Sequence, residues 1–357
     1  MRLQRYSFFS IVQGFFLFFF TFAPSINTTY MVQQRILGIG NALVDILTLI
    51  PDDHILETLH LPKGTMQHVD AEHSLSVGEA LKQYGSVMAA GGSTANTMSG
   101  IAKLGLPAGY IGKVGRDARG EFFEDAMWQT HVKPLMMKTD TPTGCAQAII
   151  SKDGERTFAT YLGAALELSA DDITPEVLEG WDIFYVEGYL VSNRALLDKA
   201  LPMAKENNMT TAMDLASFNV VEANRDYLRD VVGNYIDILF ANEEEAKAFT
   251  GKEDPEEALH EIASMCDIAI VKVGAKGAYV QRGDEIVKIG PMPAQVIDTT
   301  GAGDMWASGF MAGWIKGEDL RKCALMGATL AANIIEVLGA KMDDVRWEKI
   351  FKALEEL

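Results

Sequence analysis

The stretch Asp298-Thr299-Thr300-Gly301-Ala302-Gly303-Asp304 brings two kinds of chemistry together in consecutive positions. It runs straight into Met305–Ile315, which is apolar almost all round and reads as a buried helix. Gly301 to Asp304 would form the first turn of that helix. A helix start leaves about four backbone N–H groups without partners and carries a partial positive charge, which suits a phosphate. Two glycines and an alanine keep side chains out of the way of such an anion. Asp304 is out of place in a pure anion cradle, because its carboxylate repels phosphate. Beside a phosphoryl group it fits another task, accepting a proton from an attacking hydroxyl. Helix capping by Asp298 or Asp304 is the alternative for a lone G-x-G-D. The full string feeding an apolar helix is more specific.

Three other stretches carry polar residues in suggestive places. Gly38-Ile39-Gly40-Asn41-Ala42-Leu43-Val44-Asp45 begins like a dinucleotide-binding G-x-G-x-x-G loop, but Leu43 stands where the third glycine belongs. Ile46–Ile50 also reads as strand where that fold requires a helix, which argues against a Rossmann dehydrogenase. Asp45 is then either a turn aspartate or a carboxylate able to accept from two hydroxyls, as a ribose diol offers. Gly91-Gly92-Ser93-Thr94-Ala95-Asn96 opens a helix to about Leu104, with Ser93 or Thr94 placed to cap it. Asn242-Glu243-Glu244-Glu245 follows a strand and sets acidic residues where a helix dipole favours them. No G-x-x-x-x-G-K-[ST] and no protein-kinase catalytic loop occurs, which excludes P-loop and protein-kinase chemistry. The histidines show no zinc-binding spacing; His54, His60, His68 and His73 crowd one region irregularly and read as surface. Cys145, Cys266 and Cys323 are scattered and cannot all pair, which favours a reducing compartment.

The 298–304 string resembles the second signature of the PfkB family, the ribokinase-like sugar and nucleoside kinases, whose D-T-x-G-A-G-D is matched at every fixed position. The resemblance implies that Asp304 is the catalytic base and that the amides of Gly301, Ala302 and Gly303 form an anion hole for the migrating phosphoryl group. It implies that Asp45 binds vicinal hydroxyls, and that Gly91, Gly92 and Asn96, similar to the first signature, line the acceptor. Gly112–Gly120 looks like the family's G-x-V-G-x-D-x-x-G segment, of mainly architectural use. Asn242 and Glu245 match N-x-x-E, which implies indirect contact with Mg2+ and the phosphates. Lys272, Gly274 and Gly277 match K-x-G-x-x-G on the nucleotide side, and Thr300 joins this ATP and Mg2+ group. The implied cofactors are Mg2+ with ATP as phosphoryl donor, and a monovalent cation such as K+ is compatible with the family.

The elements that must hold these residues follow from periodicity. From about residue 170, strands near 183–186, 211–214, 236–240, 268–273 and 277–280 alternate with helices, the signature of a mostly parallel sheet covered on both faces. Ala146–Ile150, a turn at Asp153-Gly154-Glu155 and Arg156–Tyr161 read as a hairpin. The expected fold class is α/β, a ribokinase-like three-layer α/β/α arrangement with a mostly parallel central sheet and a small β-sheet lid. Residues 31–357 make the kinase domain, with lid strands from about 46–70 and 132–162. The last helix carries Trp347, Ile350, Phe351 and Leu354 on its core face.

Residues 1–30 differ from the rest. A basic start and the apolar run Phe8–Ala23 look like a signal peptide, somewhat short for a membrane span. Met31 stands just before the first strand, and an upstream start assigned in error is preferred over a true signal or anchor. The 357 residues, 48% hydrophobic and 22% charged, suit a soluble globular protein, and the net charge of −18 opposes binding to nucleic acid or anionic lipid. The expected partners are a small sugar or nucleoside and ATP, with no nucleic acid and no membrane for the kinase domain, in a cytoplasmic monomer or homodimer.

The reaction expected is ATP-dependent phosphorylation of a hydroxymethyl group on a sugar or nucleoside. Phe240–Ala246 and Thr160–Ala164 look more like the adenosine-kinase branch than ribokinase proper, which favours adenosine slightly over a free sugar of the ribokinase or fructokinase type. A non-catalytic sugar or nucleotide sensor is the third reading, and an intact Asp304 speaks against it.

Overall fold

The computed structural model describes residues 34–357. The expectations for residues 1–30 and for Met31 as the start lie outside the described residues. In chain order the strands are β1 (Ile36–Ile39), β2 (Leu43–Leu49), β3 (Met66–His68), β4 (Val87–Gly91), β5 (Ala108–Gly115), β6 (Val132–Thr139) and β7 (Thr143–Ile150). They continue as β8 (Arg156–Gly163), β9 (Ile183–Glu187), β10 (Thr210–Asp214), β11 (Ile238–Asn242), β12 (Ile268–Lys272), β13 (Ala278–Arg282) and β14 (Glu285–Ile289).

Nine of these form one sheet in the order β14-β13-β12-β11-β10-β9-β1-β5-β6, parallel from β12 to β6 and antiparallel only at β13 and β14. Successive residues of a strand point to opposite faces, so a sheet covered on both sides has apolar residues in unbroken runs. Ile36 and Leu37 of β1 show the division, the first entering one buried cluster and the second the other. The first cluster packs the helices Ser93–Lys103, Ala302–Ile315 and Leu320–Ile334; the second packs Arg194–Glu206, Phe218–Tyr235, Glu243–Thr250 and Pro255–Ala263. That is the three-layer architecture expected from the alternation.

A second sheet has the order β3-β8-β7-β2-β4, and it includes the expected hairpin as β7 and β8. Its own small core joins Ile50, Ile149 and Ala159 to Leu56, Val77 and Leu81 of two short helices. One expectation about this lid is corrected, and one strand is added to it. Val132–Thr139 is not a lid strand; it pairs with β5 along its whole length and forms the edge of the large sheet. The fifth lid strand is β4, whose sequence Val-Met-Ala-Ala-Gly has little intrinsic β preference and is strand because β2 offers it an antiparallel partner. On the last helix, Trp347 and Ile350 are buried, whereas Phe351 is 39% exposed and leans on the Trp347 ring at 6.0 Å.

The helix Ala302–Ile315 lies deep in the first cluster, with Trp306 and Phe310 stacked at 5.4 Å and Phe240 of β11 edge-on to both. Its approach to Leu320–Ile334 depends on glycine. A Cβ at Gly309 would meet the Met326 carbonyl oxygen at 2.5 Å, and one at Gly327 would meet the Trp306 carbonyl oxygen at 2.7 Å. Both obstacles are backbone, so only a shift of the helices relieves them. Gly309→Ala is therefore expected to destabilise the protein by roughly 1–3 kcal/mol in urea denaturation. The control Gly290→Ala, where an added Cβ meets nothing within 4 Å, should change stability by less than about 0.5 kcal/mol.

Candidate active site

Five neighbouring parallel strands end on the same side of the large sheet. Just beyond β1 stands Asn41, and the last residues of β9, β10, β11 and β12 are Glu187, Asp214, Asn242 and Lys272. In open α/β sheets the crevice outside the carboxyl ends of the strands is where ligands bind. The 298–304 loop and the helix starting at Ala302 face the same crevice, and the lid contributes Asp45 from β2 and Arg156 from β8.

Gly301 caps the buried helix with φ +77°, a left-handed conformation that a side chain would strain, and a Cβ there would also meet that of Ala340 at 2.9 Å. The Ala302 amide turns back to the Thr299 carbonyl at 3.2 Å. Among the described residues, the amides of Gly301, Gly303 and Asp304 meet no acceptor, so these are the open donors of the cradle. Directly behind them is a cation. A Cβ on Gly303 would lie 3.3 Å from Lys272 Nζ.

The Asp304 carboxylate is held at both oxygens. Ser93 Oγ donates to Oδ1 at 2.7 Å and Asn96 Nδ2 donates to Oδ2 at 2.9 Å. Burial pushes its pKa up to about 6, with the Asp214 charge adding to the rise, while the Ser93 and Asn96 hydrogen bonds and the Lys272 charge oppose it. The expected capping by Ser93 or Thr94 is corrected here: Gly92 caps the helix Ser93–Lys103, and the Ser93 hydroxyl is committed to Asp304 across the crevice. The Thr94 amide donates to Glu187 Oε2 at 3.1 Å.

Asp45 faces the same space, and burial raises its pKa to about 6 against the pull of the Lys341 ammonium. Gly91 has to be glycine beside it, since a Cβ would fall 2.3 Å from the Asp45 carboxyl carbon. Lys341 Nζ donates to Asn96 Oδ1 at 3.2 Å, and burial holds this lysine below the usual range. Asp45, Asn96, Asp304 and the Gly91-Gly92 turn therefore converge, although they are far apart in sequence.

The nucleotide-side candidates lie along the sheet from this point. Lys272 Nζ is 2.8 Å from Asp214 Oδ2. Burial alone would lower Lys272, but the Asp214 and Glu245 charges outweigh it and hold it above the ordinary lysine value. Asn242 caps the helix Glu243–Thr250 in a reciprocal box: its Oδ1 accepts from the Glu245 amide, and its own amides donate to the two Glu245 oxygens at 2.8 and 2.7 Å. Burial, reinforced by Asp214, raises Glu245 to about 7. Gly274 and Gly277 flank a short turn, and Gly277 is required by the β13–β14 hairpin, because a Cβ would clash with the Ile289 carbonyl oxygen at 2.0 Å. Among the described residues no group of three or more His, Cys, Asp or Glu is arranged to hold a metal ion.

Thr300 is engaged with protein groups: its hydroxyl donates to Asp298 Oδ1 at 2.8 Å and accepts from Arg156 Nη1 at 2.9 Å. Arg156 Nη2 lies 2.6 Å from Asp298 Oδ2, too poorly angled for a hydrogen bond and so an ion pair, with side chains 12% and 7% exposed. Asp298 also accepts from the Gly339 amide at 2.6 Å.

Arg156, Glu187, Asp214 and Lys341 were not singled out from sequence, and Ser93 only as a helix cap. Glu187 and Asp214 carry a usable signal, a charged residue closing an otherwise apolar parallel strand. Glu187 is 2% exposed, accepts from the Asn41 amide and side chain at 3.2 and 2.8 Å, and is raised by burial to about 7. Lys341 sits in a loop with no periodicity to mark it.

Residues 65–345 match the family described as pfkB family carbohydrate kinase. A probable sugar kinase from Rhizobium etli is 31% identical, with a TM-score of 0.80 over 90% of this chain and 99% of that one. The adenosine kinase from Sinorhizobium meliloti is 33% identical, with a TM-score of 0.79 over the same shares. Adenosine kinase from Saccharomyces cerevisiae is 31% identical across 73% of this chain and 82% of its own.

The Arg156–Asp298 contact ties the lid to the 298–304 loop and is testable alone. Removing one partner of a buried ion pair strands the other charge, so Arg156→Met should cost about 3–5 kcal/mol in urea denaturation. Adding Asp298→Asn should recover part of that loss, because no unpaired charge then remains.

Proposed function

The chain belongs to the pfkB family of carbohydrate kinases, and from that premise we propose that it transfers the γ-phosphoryl group of ATP to a hydroxymethyl group of a sugar or nucleoside, with Asp304 as the proton acceptor. The observation that carries this reading is the pairing of open amides at Gly301, Gly303 and Asp304 with a carboxylate held by Ser93 and Asn96 on the same turn. The acceptor hydroxyl approaches Asp304 as Asp45 takes vicinal hydroxyls. The amides and Lys272 stabilise charge that develops on the migrating group, the kind of support that costs about 10²–10³ in rate when one donor is removed. The lid excludes water, which would otherwise compete for the phosphoryl group.

Asn242 and Glu245 fit a divalent ion held at one remove. Both Glu245 oxygens are taken by Asn242 amides, so this carboxylate offers charge more than a free ligand position, and its raised pKa beside Asp214 is relieved by a nearby cation. Mg2+ bound with ATP would neutralise phosphate charge. An ATP-consuming enzyme works where ATP is present, which supports a cytoplasmic site of action; among the described residues no helix is long and apolar enough to cross a membrane.

A nucleoside resembling adenosine is the preferred acceptor, supported by the likeness to two adenosine kinases. The similar identity to a probable sugar kinase supports the free-sugar reading almost equally. A panel of adenosine, other nucleosides, ribose and fructose derivatives with Mg-ATP, followed by ADP release, separates them; ADP from no member would favour a sensor.

Asp304→Asn should lower kcat by about 10²–10⁴ while acceptor affinity changes little. A near-normal kcat in that variant would remove the proposed base. The base must be ionised, so kcat/KM should rise as pH increases through about 6 and level off above it. The titrating Asp45 shares that range, and Asp304→Asn should remove its own contribution to the limb.

A further inference from the structure

Asn96 touches both Asp304 and a lysine. The residue is 5% exposed, so each end of its amide needs a partner. An ammonium only donates and an ionised carboxylate only accepts, which leaves one orientation for an amide placed between them. The carbonyl end accepts a hydrogen bond from Lys341 Nζ at 3.2 Å and the NH2 end donates to Asp304 Oδ2 at 2.9 Å. With the Ser93 hydroxyl on Oδ1, this fixes the carboxylate plane. Lys341 arrives from the loop between the helices Leu320–Ile334 and Asp344–Glu355, and neither the family signatures nor the periodicity marks it.

We infer that Lys341 is a positioning residue, one that pins the Asn96 amide and through it holds the Asp304 carboxylate in the orientation that meets the acceptor hydroxyl. The inference rests on the reading of Asp304 as the proton acceptor. A lysine suits the place because one N–H reaches Asn96 while its charge balances Asp45 on the lid strand opposite. The charged groups facing it are Asp45 from β2 and Asp304 from the buried helix; Arg156 from β8 acts on the same Asp45, and Asp214 and Lys272 act on the same Asp304. If Asn96 loses its carbonyl partner, the amide is free to turn about its terminal bond, and Asp304 keeps only Ser93 as a fixed donor.

A double-mutant cycle on the full chain tests this, using Lys341→Met, Asn96→Leu and the pair. Lys341→Met should lower kcat by roughly tenfold with a smaller change in acceptor KM, and Lys341→Arg should recover most of it. Because the lysine acts through the amide, adding Lys341→Met to Asn96→Leu should change kcat by less than about threefold further. Losses that multiply in the double variant overturn the inference and make Lys341 a direct contact of the acceptor. A readout without acceptor uses carbon-13 labelled aspartate, the Asp304 carboxyl signal being assigned by its loss in Asp304→Asn. Its titration should move by about half a unit or more in Lys341→Met and by clearly less when Asn96 is already Leu, where only the direct charge of Lys341 on Asp304 is left to lose. An equal movement in both backgrounds also overturns the inference, since it would mean direct charge action. Should Lys341→Met fail to fold, Lys341→Ala, which also lacks a donor, carries the same cycle. If the wild-type chain releases no ADP with any acceptor, the proposed kinase reaction falls, while the carbon-13 cycle still decides the role of Lys341.

Discussion

The arrangement depends on how closely two helix starts approach one another. Ser93–Lys103 and Ala302–Ile315 touch at Gly100 and Ser308, where a Cβ on the glycine would fall 2.4 Å from the serine hydroxyl. That hydroxyl lies 2.9 Å from the Thr97 carbonyl and 2.8 Å from the Asp304 carbonyl and shares its one proton between them, so one side chain bridges both backbones. The contact sets the distance at which Ser93 and Asn96 of one helix reach Asp304 of the other. Both helices point their amino ends into the crevice, and their partial positive charge favours a carboxylate and a phosphate in the same place. A larger residue at position 100 would run into the Ser308 side chain and press the two helices apart.

The charge balance of the crevice shows why these residues are not there for stability. Burial raises Asp45 and Asp304 to about 6, and Glu187 and Glu245 to about 7. A raised carboxyl pKa means that the fold disfavours the ionised form. Each such group contributes stability below its unfolded pKa and loses that contribution as pH rises through its folded value. Around neutral pH the structure therefore carries acidic groups at a cost, with Lys272, Lys341 and Arg156 as the cations that offset them. A core built only for stability would replace such pairs with apolar residues. Their gathering around one crevice is what a binding or reaction site requires.

The elements that repeat were legible in the sequence, and the contacts between them were not. The strands from β9 to β13 and the β7–β8 hairpin follow from local periodicity and turn residues. The 298–304 string declared both its helix start and its acidic residue, because two glycines and an aspartate at that spacing have few other uses. β4 escaped notice because Ala89, Ala90 and Gly91 become strand only through pairing with β2. β6 was assigned to the wrong sheet because a strand's partner is a long-range property that its own residues do not encode. The commitment of Ser93 to Asp304 likewise spans more than two hundred positions, and local rules offered only the capping role that Gly92 fills. Lys341 illustrates the limit: a lone lysine in a loop is ordinary until the fold places it against Asn96.

The lid and the large sheet are joined by charge as well as by apolar packing. Val44, Ala90 and Cys145 of the small sheet enter the same buried cluster as the helices of the large one. Beside them, Arg156 of β8 reaches Asp298 and Thr300, residues of the same loop that opens the buried helix. Asp298 in turn accepts from the Gly339 amide, in the loop that carries Lys341 two residues later. One buried carboxylate thus connects the lid, the amide cradle and the loop bearing the lysine that holds Asn96. A displacement of β8 would leave Asp298 without its counter-ion in a low-dielectric setting, where an unpaired charge is most costly. The lid strand that supplies Asp45 is bonded to β7, and β7 to β8, so the carboxylate facing the acceptor cannot move far without straining that ion pair. The geometry around Asp304 is accordingly a property of both sheets together, although among the described residues both donors to its carboxylate come from a single helix, Ser93–Lys103.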